Sequence, residues 1–315
     1  MTERRTAWAY FLLIAAPAMW GGAFVAAKYL VLELHPTAAA AVRFIISFLF
    51  LLPFFLRIEG RRALPARRDL PVLLLLGASG VFAYNALFFY GMQWAAATDG
   101  SLVVASSPML TVVLSVLFLR ERFIWPQAAG LVLCLAGVTV IITKGSPDTL
   151  LGWQVNHGDI LLLGCAASWA VYSVAGKVAM RRLSALASTT FSNGLGALML
   201  IACAIPSLHW DSLVGLSARG WTSLLFLAVF ASGIAFVFWL AGVRAIGAAR
   251  SAVFVNLAPV SSALLGVLML GERLAFFHLA GAVLVLMGVY LVSRQPQRPV
   301  SAAPAAAPAD SAARS

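Results

Sequence analysis

At 315 residues, with 62% hydrophobic and only 10% charged positions, the chain lies far from the usage of a soluble globular domain, about 45–50% apolar and 25% charged. This excludes water as its main solvent. The formal charge of +11 would suit a nucleic-acid partner, but the placement of the charges explains it more simply, and no nucleic acid is expected.

The apolar residues fall into ten runs near the length of about 20 residues that a helix needs to cross a hydrocarbon core about 30 Å thick. The first, 8–31, carries Trp20, Phe24 and Lys28 four apart on one helix face. Arg4 and Arg5 ahead of it also fit a cleaved signal peptide, but Trp20 and Lys28 belong to a repeat described below, so the span is expected to remain. The second, 37–56, holds Arg43 about two turns in, where an unpaired guanidinium is costly and marks a functional position. A contact to an anionic group or carbonyl competes there with snorkelling or a structural hydrogen bond. The third, 70–92, contains Tyr84 and Asn85, and an amide in hydrocarbon seeks a neighbouring helix or a polar ligand.

The fourth, 97–118, presents a small face of Ala97, Ser101 and Ala105, then Pro108, which should bend it, and ends at Glu121 and Arg122. The fifth, 125–143, has Gly130 and Gly137 seven apart. In the sixth, 158–178, Trp169, Ser173 and Lys177 repeat the face of the first span, with Tyr172 beside them. The seventh, 185–207, contains Asn193; the eighth, 221–243, contains Trp239. The ninth, 249–270, carries Asn256 and Pro259 and ends at Glu272 and Arg273. The tenth, 276–293, has Gly281 and Gly288, again seven apart, so spans five and ten are expected to pack along a glycine seam. The tail, 295–315, is rich in Ala and Pro, has nothing to bury and is expected to be a disordered cytoplasmic segment.

Offset by 151 residues, Gly91 falls on Gly242, Ala97 on Ala248, Pro108 on Pro259, Glu121 on Glu272, Gly130 on Gly281 and Gly137 on Gly288. Near the start of each half the offset is 149, bringing Trp20 and Lys28 onto Trp169 and Lys177; Arg43 then meets Ser192, so its charge is not a symmetric framework element. The expected fold is an all-α polytopic membrane protein of ten transmembrane helices, built as two five-helix repeats, 1–150 and 151–294. An odd number of spans per repeat inverts the second copy in the membrane. Of the 22 Arg and Lys, only Lys28, Lys144, Arg219 and Arg273 fall on one side, Arg43 lies within a span, and the rest occupy the other side. By the positive-inside rule both termini are cytoplasmic.

The stretches AMWGGAFVAAKYL with PTAAAAVRF, SSPMLTVVLSVLFLRERF, GDILLLGCAASWAVYSVAGK and LAPVSSALLGVLMLGERL resemble the drug/metabolite transporter superfamily in its ten-helix EamA-type branch. The resemblance covers 8–293, and the doubled Pro-x12-Glu-Arg signature is its most specific part. It implies a bacterial inner-membrane permease or exporter, in a group whose members handle amino acids, sugars, metabolites or drugs.

The substrate-binding candidates are Trp20, Arg43, Tyr84, Asn85, Trp169, Tyr172, Trp239 and Asn256. Glu121 and Glu272 read instead as local ion pairs or loop braces. All eleven acidic residues fall in loops, tails or span ends, so exchange of a proton for a cationic drug is not expected. A neutral, zwitterionic or anionic metabolite, such as an amino acid, suits the residues better, carried by alternating access. The competing readings are a polytopic membrane enzyme and a non-transporting membrane scaffold. Against the first, His35, His157, His209 and His278 each stand alone near a span end, so neither catalytic residues nor a metal site are expected. Against the second, the loops are short. No Gly-x4-Gly-Lys-Ser/Thr loop occurs, and no cofactor is expected. The partners are a small-molecule substrate and the lipid bilayer, with the chain acting as a monomer or weak homodimer.

Overall fold

The computed structural model describes residues 3–119, 125–146, 156–207, 210–246, 254–255 and 257–293; Arg120, Glu121, Arg122, His209, Asn256 and the Ala/Pro-rich tail lie outside them. Among the described residues all regular structure is helical. In chain order the helices are α1 (Glu3–Leu30), α2 (Pro36–Ile58), α3 (Leu70–Leu76), α4 (Tyr84–Trp94), α5 (Ala97–Val104), α6 (Ser107–Leu119), α7 (Trp125–Ile142), α8 (His157–Ala179), α9 (Ala185–Ala204), α10 (Trp210–Val214), α11 (Ala218–Leu225), α12 (Ala235–Ile246), α13 (Leu257–Leu270) and α14 (Phe276–Ser293). Six stretches are long and apolar enough to cross a bilayer: Ala7–Leu30, Pro36–Ile58, Arg67–Trp94, His157–Ala179, Ala185–Ala204 and Ala218–Gly242. Shorter apolar helices occupy Ala128–Ile142, Leu257–Leu270 and Phe276–Gly288. Leu49, Leu198, Leu264 and Leu268 are exposed on the outside of the bundle, as a lipid-facing surface requires.

Several expected boundaries shift. The third span runs on to Trp94, and the eighth begins at Ala218 rather than 221. The seventh stops at Ala204, because Ile205–Ser207 tighten into a 3-10 turn around Pro206. The fourth is broken: Pro108 lacks an N–H and its ring collides with the carbonyl four residues back, so α5 ends at Val104 and α6 starts at Ser107.

Two stretches inside the expected third and eighth spans are π-helical rather than ordinary α-helix. Gly77–Ala83 joins α3 to α4, and Phe226–Ile234 joins α11 to α12. A wider turn re-registers the side chains that follow and loosens the hold of the local ladder on its carbonyls.

The packing crosses the two halves of the chain. Helix α1 lies against α11, the second π-segment, α12 and α13, while α8 lies against α3, the first π-segment, α4, α5 and α6. Helix α2 packs on α9 and α7 on α14. Apart from α5, whose counterpart falls largely outside the described residues, exchanging each helix for its counterpart in the other half maps this set of pairs onto itself. The α7–α14 seam is set by glycine. A Cβ on Gly137 would stand 2.8 Å from the Gly281 carbonyl oxygen, and one on Gly288 would stand 2.6 Å from that of Gly130. The antiparallel register therefore places Gly137 against Gly281 and Gly130 against Gly288, with the buried Cys134 between.

Helix caps tie the halves together at both ends of the bundle. Ser217 caps α11 by accepting from the Gly220 N–H, and donates to Glu33 beyond α1 at 2.7 Å. Ser184 caps α9 by accepting from the Ala187 N–H, and donates to Glu59 beyond α2 at 2.6 Å. Each serine satisfies an orphan amide of its own helix and a carboxylate of the other half.

Candidate functional site

A cavity lies midway along the bundle, with about 610 Å³ of empty space including its open mouth. Its wall comes from both halves: Trp20, Ala23 and Phe24 of α1, Arg43 of α2, Tyr84, Asn85 and Phe88 of α4, Ser101 and Val104 of α5, Ala105, Ser107, Trp169 of α8, Phe236 of α12, Val255, and Ala258 and Pro259 of α13. One region is a stack of rings. Trp20 and Trp169, the equivalent residues of the two halves, meet edge to face with centroids 5.2 Å apart, and Phe236 closes on both at 5.8 Å and 5.6 Å. Contacts of this geometry stabilise by about 0.5–1.5 kcal/mol each beyond area burial.

The polar region is organised by Arg43, only 4% exposed. Its Nε donates to Ser232 Oγ at 2.6 Å and its Nη1 donates to Asn85 Oδ1 at 3.0 Å. The guanidinium also stands over the rings of Phe44 and Phe89, at 5.1 Å and 5.8 Å. Both hydrogen-bond partners depend on the π-segments. Asn85 is held by donating its amide to the carbonyls of Gly80 and Val81, at 3.2 Å and 2.9 Å, inside the first π-segment. Ser232 belongs to the second, whose carbonyls at Ala231 and Ser232 accept from Trp20 Nε1 at 3.0 Å and Asn193 Nδ2 at 3.1 Å. Asn193 also donates to Ser47 Oγ at 3.0 Å, binding α9 to α2. The carbonyls of the two widened turns therefore hold the tryptophan and the asparagines that surround the arginine.

Of the eight candidates, Trp20, Arg43, Tyr84, Asn85 and Trp169 line the cavity. Tyr172 and Trp239 stand one layer behind: Tyr172 stacks on Trp169 at 5.1 Å, and Trp239 tilts against Trp20 at 5.4 Å. Asn256 lies outside the described residues, although Val255 and Ala258 beside it line the wall. Sequence reasoning did not reach Phe88, Phe236 or Ser232. For Ser232 a signal existed: the tripeptide Ala-Ser-Gly occurs at 78–80 and again at 231–233, inside both π-segments.

The ionisable groups near one end of the bundle depart from expectation. Glu272 makes no local ion pair among the described residues; it crosses to the other half and accepts from the N–H groups of Ala97 and Thr98 at 2.7 Å and 3.1 Å and from Thr98 Oγ1 at 2.6 Å. It caps α5, the helix that carries Ser101 into the cavity wall. His278 is not alone. Its Nδ1 accepts from the Ala275 N–H at 2.8 Å, so in the neutral ring the proton sits on Nε2, which faces Asp99 Oδ1 at 2.9 Å. That contact is close but poorly aligned for a hydrogen bond. Asp99 and Asp159, in the first turns of α5 and α8, are buried rather than solvated. Among the described residues no three His, Cys, Asp or Glu side chains converge as metal ligands would.

An apolar helical bundle with a cavity shared by two halves is the architecture of a membrane transporter, and comparison with known proteins agrees. The model of the EamA-like transporter family matches twice, over residues 7–143 and 156–294, and the chain belongs to that family, within the drug/metabolite transporter superfamily. It is 30% identical over 284 residues to Uncharacterized transporter YyaM of Bacillus subtilis, covering 90% of this chain and 93% of that protein. It is also 30% identical over 233 residues to a protein of Streptantibioticus cattleyicolor named Probable terminal-alkyne amino-acid exporter, covering 73% of this chain and 75% of the other. A crystal structure at 23% identity shares the fold, with a TM-score of 0.65 over 90% of this chain and 95% of that one.

Proposed function

We propose that the protein carries a small neutral, zwitterionic or anionic metabolite, such as an amino acid, across a bacterial inner membrane by alternating access, with both termini in the cytoplasm. The observation that carries this reading is the cavity at the meeting of Trp20 and Trp169, walled by both halves and lined by no described carboxylate. Two inverted five-helix repeats, 1–150 and 151–294, would give ten spans, and the exchange symmetry of the packing pairs supports that division. In such a pair, closure at one end of the cavity accompanies opening at the other. The relative named as an amino-acid exporter supports the substrate class.

Proteoliposomes preloaded with labelled leucine, threonine, phenylalanine and phenylacetate test the reading. Protein-containing vesicles should release label faster than protein-free ones, and equal rates with folded protein contradict transport of this class.

A further inference from the structure

The guanidinium of Arg43 is buried in the bundle, and among the described residues no carboxylate lies within ion-pair distance. Asn85 and Ser232 take hydrogens from Nη1 and Nε, whereas Nη2 has no partner among the described residues, although the side chain forms part of the cavity wall. A charge so placed costs several kcal/mol unless something of opposite sign reaches it. A simple inorganic anion would satisfy the charge but leave the walls of Trp20, Phe24, Phe88, Trp169 and Phe236 without apolar burial. The site is therefore bipolar, with a fixed cation at one pole and hydrocarbon rings at the other. An ammonium attached near the bound anion would sit beside Arg43, in a described wall that offers it hydroxyls, the Asn85 amide and ring faces but no acidic group to offset the neighbouring guanidinium.

We propose that the cargo is an organic monoanion whose carboxylate is held by Arg43 and whose apolar or aromatic body lies on the ring wall, and that recognition does not require an ammonium group. The inference rests on the transport reading above and narrows its substrate class. Arylalkanoic acids with about ten heavy atoms are the simplest molecules with this form.

Equilibrium dialysis of purified protein against labelled phenylacetate, with competition by phenylacetamide, 2-phenylethylamine and phenylalanine, tests it. Phenylacetate should bind at least about tenfold more tightly than phenylacetamide, the worth of one charge-assisted hydrogen bond. Phenylalanine should bind no more tightly than phenylacetate, and the amine should not compete. Arg43→Gln should bring the acid to the level of the amide, with Arg43→Lys intermediate. If Arg43→Gln does not fold, the wild-type ligand series and the lysine variant decide the matter. Amide or amine binding as tightly as the acid overturns the proposal, as does undiminished binding of the acid by folded Arg43→Gln. Wild-type protein that binds none of the four, while its proteoliposomes still release amino acids, overturns this inference and leaves transport standing. Folded protein that releases no label from vesicles removes the transport reading as well.

Discussion

The cost of burying Arg43 is spread over groups that the sequence scatters along the chain. Ser232 is the most exposed to test, since removing its hydroxyl leaves Nε buried with no partner among the described residues. Ser232→Ala should lower stability by about 1–3 kcal/mol, seen as a lower melting temperature in detergent. Ser79→Ala is the control: Ser79 Oγ donates only to the Leu75 carbonyl of its own turn, and its loss should leave the melting temperature nearly unchanged. Equal melting for both variants would contradict the place given to Ser232. Arg43 was legible because a charge inside an apolar run is conspicuous whatever surrounds it. Ser232 was marked only by the repeated Ala-Ser-Gly tripeptide, which says nothing of its partner, because a serine in a membrane helix ordinarily bonds back to its own ladder and only the three-dimensional path of α2 makes it an acceptor for arginine. Trp20 and Trp169 could be paired from the repeat, but the rings behind and beside them follow from helix rotation, which hydrophobic periodicity in a nearly all-apolar span does not define.

At the scale of helices, the apolar runs and their breaks followed from composition and proline. The π-segments did not, because no residue type demands an extra residue per turn; the widening is supported by Asn85, Trp20 and Asn193, which take up carbonyls of the widened turns from later in the chain and from other helices. The seam between α7 and α14 was legible, since glycines seven apart on two helices have few other uses. Its register required the structure. Gly281→Leu should force α7 and α14 apart, because even a Cβ there collides with Ile141 and stands 3.1 Å from the Gly137 carbonyl oxygen. Folded yield, measured as monodisperse protein after extraction, should fall several-fold, while Leu279→Ala on the exposed side of the same helix should leave it near wild type. Equal yields would show that the seam does not hold the helices.

Across the whole molecule, the end that carries Glu33 and Glu272 is joined between halves by several described bonds. Glu33 accepts from the Ser217 N–H and hydroxyl, Glu272 caps α5, Tyr29 donates to the Met269 carbonyl and Ser262 donates to that of Ala97. A solute leaving the cavity toward that end has to part these groups. Glu272→Ala should loosen it, leaving three α5 donors to water and favouring the conformation open on that face, which is extracytoplasmic in the orientation proposed above. The most direct test of the central claim, that this cavity is the transport path, is a single Ser101→Cys probe in protein whose exposed Cys203 is replaced by serine. The account predicts that a membrane-impermeant maleimide applied from the extracytoplasmic side reacts with this thiol, faster when Glu272→Ala is added and more slowly with bound phenylacetate, and that the modified protein no longer releases label from vesicles. Modification of the thiol with solute flux unchanged would contradict it.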